Sequence, residues 1–133
     1  MEKVKTVAAN AAAICVICIV LIWGNTLYRQ HVQFDKGEKG YRASDFPSAV
    51  AGYEAAIHMY TPGSSLVDRS AQRLWEIGQM TELSGDIPHA LIAYRALRSS
   101  FYAVSGIYSP GKEWIARCDA RIAALVKAQQ GRQ

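Results

Sequence analysis

The sequence predicts an all-α protein, in which a single N-terminal transmembrane helix precedes a stack of antiparallel helical hairpins with a C-terminal capping helix. Three observations lead to this prediction. Residues 7–28 are apolar and uncharged, a pattern of Asp, Pro, Ala and Tyr occurs twice in the remainder, and the last segment is amphipathic at helical spacing. We expect a short tail and anchor over 1–29, a helical domain over 30–128 and a frayed tail over 129–133.

The whole chain is small and mildly basic. Its 133 residues suit one domain of modest core size plus an anchor, and its formal net charge is +4. Basic residues alternate with acidic ones, so no run of Lys and Arg indicates nucleic-acid binding. Anionic lipid headgroups beside a membrane explain the small positive excess more simply.

The first element is the anchor. The run from Val7 to Tyr28 has no charged residue over roughly 22 positions, enough for a helix rising about 1.5 Å per residue to cross a hydrocarbon core of about 30 Å. Trp23 and Tyr28 lie near its end, where amphipathic aromatic residues favour the headgroup zone. A cleaved signal peptide is the alternative, but its apolar region would be shorter and would end at a small-residue cleavage site.

The anchor carries small residues that would permit close approach of another transmembrane helix. They recur four positions apart, at Ala8, Ala9, Ala12 and Ala13. Two patterns in the sequence bear on which side of the membrane carries the helical domain. Counted literally, the positive-inside rule slightly favours a cytoplasmic domain, whereas a short lysine-bearing tail before one long anchor is the usual arrangement for export. We expect a bacterial inner membrane with the helical domain exported.

The next elements follow from an internal repeat. Residues 44–55 read SDFPSAVAGYEA, and residues 85–96 read GDIPHALIAYRA. Asp45 and Asp86 can each cap a helix N-terminus, and the proline two residues later stands in the first turn, where a missing N–H costs nothing. Small and aromatic residues then recur at helical spacing, which predicts a helix after each aspartate.

A second repeated pattern occurs at the start of the segments that follow these helices. Tyr60-Thr-Pro-Gly and Tyr108-Ser-Pro-Gly both mark turns. The last segment is amphipathic through Trp114, Ile115, Cys118, Ile122 and Leu125, and we expect it to cap the open end of the stack. Because nothing between the first two helices breaks a helix, they can run as one. The expected helices cover 6–29, 30–43, 46–60, 65–83, 87–105 and 111–128.

The second repeat unit, about 71–104, resembles the tetratricopeptide repeat, a helix–turn–helix unit. The first helix of the family carries two large residues followed by a small one, and Leu74, Ile77 and Gly78 stand at these positions. Ala90 and Tyr94 correspond to the small and aromatic positions of its second helix. The resemblance implies a TPR-like fold that binds peptides or assembles complexes.

The first unit, about 30–63, fits the family less well. Gly37, Ala49 and Tyr53 stand at matching positions, but Gln33 and Lys36 are polar where large apolar residues are expected. The interval between the two units also exceeds the family's period of about 34 residues. We expect the membrane surface or a partner to cover that side.

Arginine and aromatic side chains are the candidates for binding a partner. Arginines four residues apart share a helix face and can bind acidic groups or lipid phosphates, and exposed aromatic residues often anchor partners. The alternatives are a solvated arginine face and aromatic residues that pack the second repeat against the last helix. The candidate residues are Arg69, Arg73, Arg98, Tyr102, Tyr108, Trp114, Arg117 and Arg121.

No pattern in the sequence indicates catalysis. Three histidines lie far apart and match no metal-ligand spacing: His31, His58 and His89. Cys118 falls on an apolar helix face, Glu76 and Glu82 fit solvated faces, and no Gly-rich phosphate loop occurs. We therefore expect no enzyme activity, no catalytic residue, no metal, no cofactor, no nucleic acid and no small-molecule substrate.

These features together predict a membrane-anchored adaptor or scaffold. Its partners would be the lipid bilayer and a membrane protein complex, or another protein, onto which the small helical domain docks. The alternative is a structural accessory subunit of a multi-subunit transport, respiratory or motor complex, in which the transmembrane helix is the functional part.

Overall fold

The computed structural model describes residues 1–106 and 109–133, and within them the chain is helical and has no strand. The predicted all-helical class is therefore confirmed, and every helix begins and ends within a few residues of its expected position. The described helices are α1 over Glu2–Arg42, α2 over Phe46–His58, α3 over Leu66–Leu83, α4 over Ile87–Ala103 and α5 over Lys112–Gln130.

α1 is one helix of 41 residues that joins the apolar segment to the first helix of the helical domain. At a rise of about 1.5 Å per residue it is about 60 Å long. Residues 1–25 are exposed, and α1 is packed against other helices from Gln30 onwards. The apolar part of α1 is long and apolar enough to cross a membrane.

The starts of α2 and α4 follow the repeat. Asp45 accepts a hydrogen bond from the Ser48 N–H at 3.3 Å, and Asp86 accepts one from the His89 N–H at 3.3 Å. A proline occupies the first turn of each helix, as expected. The chain reversals before α2 and before α4 are thus stabilised by local helix capping.

α1 and α2 cross with their backbones in contact. A methyl group added at Gly52 of α2 would lie 2.4 Å from the Gly37 nitrogen of α1. One added at Gly40 would lie 2.6 Å from the Ala49 nitrogen. Only glycine permits this approach at positions 40 and 52, so the close crossing of the first hairpin depends on these glycines.

α3 and α4 form the second hairpin, and α5 packs along α4. Cys118 and Leu125 on α5 are buried, and Trp114, Ile115 and Ile122 pack half-buried against the core, which is the predicted apolar face. α5 continues to Gln130, so the first two residues of the tail expected to fray are helical.

The helices alternate in direction, which gives the helical domain two different ends. The turns that carry Asp45 and Asp86 lie at one end. The α2–α3 loop lies at the opposite end, where Thr61 and Pro62 line a cleft together with Trp23 of α1. The apolar part of α1 projects from that second end.

Candidate functional site

A tyrosine, a glutamate and an arginine join α1, α2 and α3. The Tyr53 hydroxyl on α2 donates to Glu38 Oε1 on α1 at 2.7 Å. Arg73 on α3 donates to the same carboxylate twice, from Nε to Oε1 at 2.8 Å and from Nη2 to Oε2 at 3.2 Å. We call Tyr53, Glu38 and Arg73 the first clasp. It ties the first hairpin to the helix that begins the second.

A similar group joins α3, α4 and α5. The Tyr94 hydroxyl donates to Glu82 Oε2 at 2.9 Å, and Arg121 Nε donates to the same oxygen at 3.2 Å. We call Tyr94, Glu82 and Arg121 the second clasp. The expectation that Glu82 lies on a solvated face is wrong, because its half-buried carboxylate pairs with Arg121 and Tyr94.

The tyrosines of both clasps sit in matching surroundings. The Tyr53 ring contacts Phe34 with a centroid separation of 5.7 Å, and the Tyr94 ring contacts Trp75 at 5.0 Å. Phe34 and Trp75 are separated by the same interval as the two tyrosines, so extending the repeat comparison upstream would have found them. The interval between the two glutamates is longer by about one helical turn, so the repeat could not have predicted them.

Electrostatics favours the ionised form of the first clasp. Burial works to raise the pKa of Glu38, but hydrogen bonds from Arg73 and Tyr53 outweigh it, and the pKa ends below its usual value. Burial and the adjacent carboxylate raise the pKa of Tyr53. The hydrogen bond to Glu38 raises the pKa of Arg73. The clasp is therefore an ion pair with a neutral phenol at neutral pH.

Gln30 fixes the start of the helical domain to the α2–α3 loop. Its side chain is fully buried, donates from Nε2 to the Ala56 carbonyl at 3.0 Å and accepts from the Ser64 hydroxyl at 2.6 Å. A buried polar group satisfied on both sides specifies one geometry. No pattern around Gln30 signalled this role in the sequence.

The predicted partner-binding arginines fall into two groups, those that pair with a carboxylate in a clasp and those that stack over an aromatic ring. Arg73 and Arg121 are engaged in the two clasps. Arg69 is exposed and stacks over the Phe34 ring at 4.6 Å, and Arg117 is exposed and stacks over Trp114 at 5.0 Å. Each of these four therefore already contacts a carboxylate or a ring of this chain.

The remaining candidates lie near the junction of α4 and α5. Arg98 forms an ion pair with Asp119 and stacks over the exposed Tyr102 ring at 5.1 Å. Trp114 packs against Trp75 at 6.1 Å, as the packing alternative proposed. Tyr108 lies outside the described residues. Whether any of these residues binds a partner stays a prediction.

The predicted packing residues of the anchor, Ala8, Ala9, Ala12 and Ala13, are exposed on α1. A separate cleft of about 510 Å³ opens where α1 and α2 cross. Gln33, Lys36 and Lys39 line it, and both lysines are exposed. This cleft lies where the repeat resemblance is weakest.

The described residues bring no reactive groups together. No cluster of three His, Cys, Asp or Glu side chains among them could hold a metal ion. Cys118 is fully buried, and burial raises the pKa of its thiol to about 12, so it is protonated at neutral pH and is not a nucleophile.

Comparison with known proteins adds no relative. The chain matches no protein family, no curated protein and no solved structure.

Proposed function

We propose that this chain is a membrane-anchored adaptor, whose small TPR-like domain docks onto, or helps to assemble, a membrane protein complex. The observation that carries the proposal is the continuity of α1. The apolar segment and the first domain helix are one helix, and Gln30 and Gly52 fix α2 to it. A domain held in this way suits docking to a neighbour in the same membrane.

The repeated surroundings of two tyrosines support the TPR-like arrangement. A methyl group added at Gly37 would lie 2.8 Å from the Tyr53 ring, and one added at Gly78 would lie 2.5 Å from the Tyr94 ring. A small residue of one helix thus faces an aromatic residue of the next in both hairpins. The resemblance implies that such a stack binds other proteins.

The cleft between α1 and α2 is the docking site that we propose. Lys36 and Lys39 bring two positive charges to its lining. The carboxylate in the lining is that of Asp45, which already accepts hydrogen bonds from the Ser48 N–H and hydroxyl, so the cleft is net positive. Carboxylates on a partner would complement the two ammonium groups. A segment of a membrane protein that carries acidic residues just outside the bilayer is therefore the occupant that this cleft favours.

Crosslinking in native membranes followed by pull-down in mild detergent and mass spectrometry tests the adaptor proposal. We expect the wild-type chain to recover a membrane complex. The double variant Lys36→Glu with Lys39→Glu should lose most of that complex, because it reverses the charge of the cleft. Lys112→Glu with Lys127→Glu on α5 makes the same change in net charge and should retain it. Recovery of the monomer alone from the wild type would rule the adaptor out.

A structural accessory subunit is the second candidate, and the exposed surface of the anchor favours it. The α1 residues that include Ala8 and Ala12 have no neighbours within the chain, so another transmembrane helix can pack against them. Replacing residues 7–18 by an unrelated apolar helix of equal length separates the two functions. Activity of the complex survives this exchange if the chain is an adaptor and disappears if the anchor is the functional part.

We also propose a bacterial inner membrane as the location, with the helical domain exported. The lysine-bearing tail before the anchor supports this orientation. A reporter that is active only outside the cytoplasm, fused after Gln133, should be active. Activity of a matched cytoplasmic reporter instead would reverse the orientation.

A further inference from the structure

The α2–α3 loop, Met59–Ser65, lies beside the apolar part of α1. Thr61 and Pro62 of this loop line a cleft of about 290 Å³ together with Ile19, Ile22 and Trp23 of α1. Ile19 and Ile22 remain 65% and 67% exposed, so the loop covers little of them and the cleft stays open. The cleft is thus continuous with the exposed apolar surface of α1, the helix that is long and apolar enough to cross a membrane.

The depth of this loop follows from the length of the apolar segment. About 20 helical residues cross a hydrocarbon core of about 30 Å. A core that begins at Val7 ends near Thr26, which leaves Ile19 well inside it. Moving the core towards the N-terminus is limited by Lys3 and Lys5. Ile19 therefore lies within the hydrocarbon or at its edge, and the loop beside it reaches the headgroup zone.

Several polar groups of the loop are hydrogen-bonded within the chain. The Thr61 hydroxyl donates to the Met59 carbonyl at 3.0 Å, and the Ser64 N–H donates to the Thr61 carbonyl at 3.1 Å. The Leu66 N–H donates to the Ser64 hydroxyl at 3.3 Å, and Pro62 has no N–H to satisfy. Each of these internal hydrogen bonds lowers the cost of withdrawing water from the group that it satisfies.

We infer that the α2–α3 loop is a second membrane contact, which enters the interfacial zone of the bilayer so that the cleft beside Trp23 is filled by phospholipid. The inference rests on the proposed membrane anchoring and goes beyond it, because an anchor alone leaves the loop in water. Tyr60 and Trp23 are the aromatic residues of this contact, and such side chains favour the headgroup zone. Two contacts fix the tilt of the helical domain, whereas one anchor does not.

Fluorescence quenching in vesicles of phosphatidylcholine and phosphatidylglycerol tests the inference. Three variants of the full chain each carry one reactive cysteine for an environment-sensitive dye. The first is Cys15→Ala, which keeps native Cys18. The other two lack both Cys15 and Cys18, through Cys15→Ala and Cys18→Ala, and add either Pro62→Cys or Ser84→Cys. Pro62 and Ser84 are both exposed, and they lie at opposite ends of α3, which is about 27 Å long. Buried Cys118 should not react, and the variant without Cys15 and Cys18 measures any background.

We expect lipid-borne nitroxide to quench the dye at position 62 several-fold more strongly than the dye at position 84, with aqueous iodide giving the reverse order. A dye at position 62 that behaves like the one at position 84, while the Cys18 dye is quenched by lipid, would overturn the inference and leave the anchor intact. Quenching of the Cys18 dye by iodide would overturn the anchoring as well. Thermal unfolding of each labelled chain checks that the helical domain is folded.

Discussion

At the scale of single residues, Glu38 is where three helices meet. Glu38→Gln keeps the size of the side chain but replaces the charged acceptor of Arg73 and Tyr53. The Arg73 side chain is 34% exposed, so solvent screens its ion pair with Glu38. We therefore expect Glu38→Gln to lower the unfolding free energy by about 1–2 kcal/mol, near the lower end of the range for breaking a charged hydrogen bond. Denaturant unfolding in detergent micelles measures it. Glu54→Gln on α2 is the control and should change little.

The lowered pKa of Glu38 predicts how stability depends on pH. The unfolded state holds the proton up to higher pH than the folded state, so stability rises with pH through that window. The contribution is complete above the ordinary pKa of 4.5 and is lost as the pH falls through the lower pKa of the folded state. Unfolding between pH 7 and pH 3 should show this loss. An equally steep acid loss in Glu38→Gln would assign it to other groups.

The two Asp-capped turns differ at one residue that the repeat aligns. Ser44 has φ of +55°, and Gly85, its counterpart in the second unit, has φ of +81°. The left-handed region costs a residue with a Cβ roughly 1–2 kcal/mol, which glycine avoids. Gly85→Ser should therefore lower the unfolding free energy by about 1 kcal/mol, and Ser44→Gly should leave it unchanged or raise it. Destabilisation by both changes would mean that the Ser44 side chain matters more than its backbone.

At the scale of helices, the sequence predicts starts and ends far better than contacts. The aspartate and proline pairs act through the backbone of their own turn, so the starts of α2 and α4 could be read from them. The clasps could not be predicted, because Glu38 and Arg73 are 35 residues apart and only the packed hairpins bring them together. Gln30 was missed for the same reason, since its partners lie on α2 and the α2–α3 loop.

The crossing of α1 and α2 depends on glycine at a position where a methyl group has no room. Gly52→Ala would place its Cβ 2.4 Å from the backbone nitrogen of Gly37, and backbone cannot move aside as a flexible side chain can. We expect a loss of about 1–3 kcal/mol, seen as a lower denaturant midpoint. Gly24→Ala, which meets nothing within 4 Å, is the control. Equal stability of the two variants would contradict the close crossing.

At the scale of the whole molecule, the direction in which the helical domain faces follows from the phase of α1. Inserting two alanines between Gly24 and Asn25 would turn the helical domain by about 200° around the helix axis. The packing from Gln30 onwards is untouched, so the domain should stay folded while crosslinking to the partner is lost. Replacing Gly24 and Asn25 by two alanines keeps the phase and should retain crosslinking. Unchanged crosslinking after the insertion would mean that the domain docks without a fixed orientation.

The central claim is that the anchor and the helical domain share one unbroken helix. Residue-resolved amide hydrogen exchange of the full chain in lipid nanodiscs tests it directly across 27–33, which lies beyond the hydrocarbon core and within reach of water. Continuous α1 predicts protected amides throughout this stretch, without a gap between Leu27 and Arg29. Fast exchange over 27–29 between two protected segments would show a flexible tether and would contradict an unbroken helix.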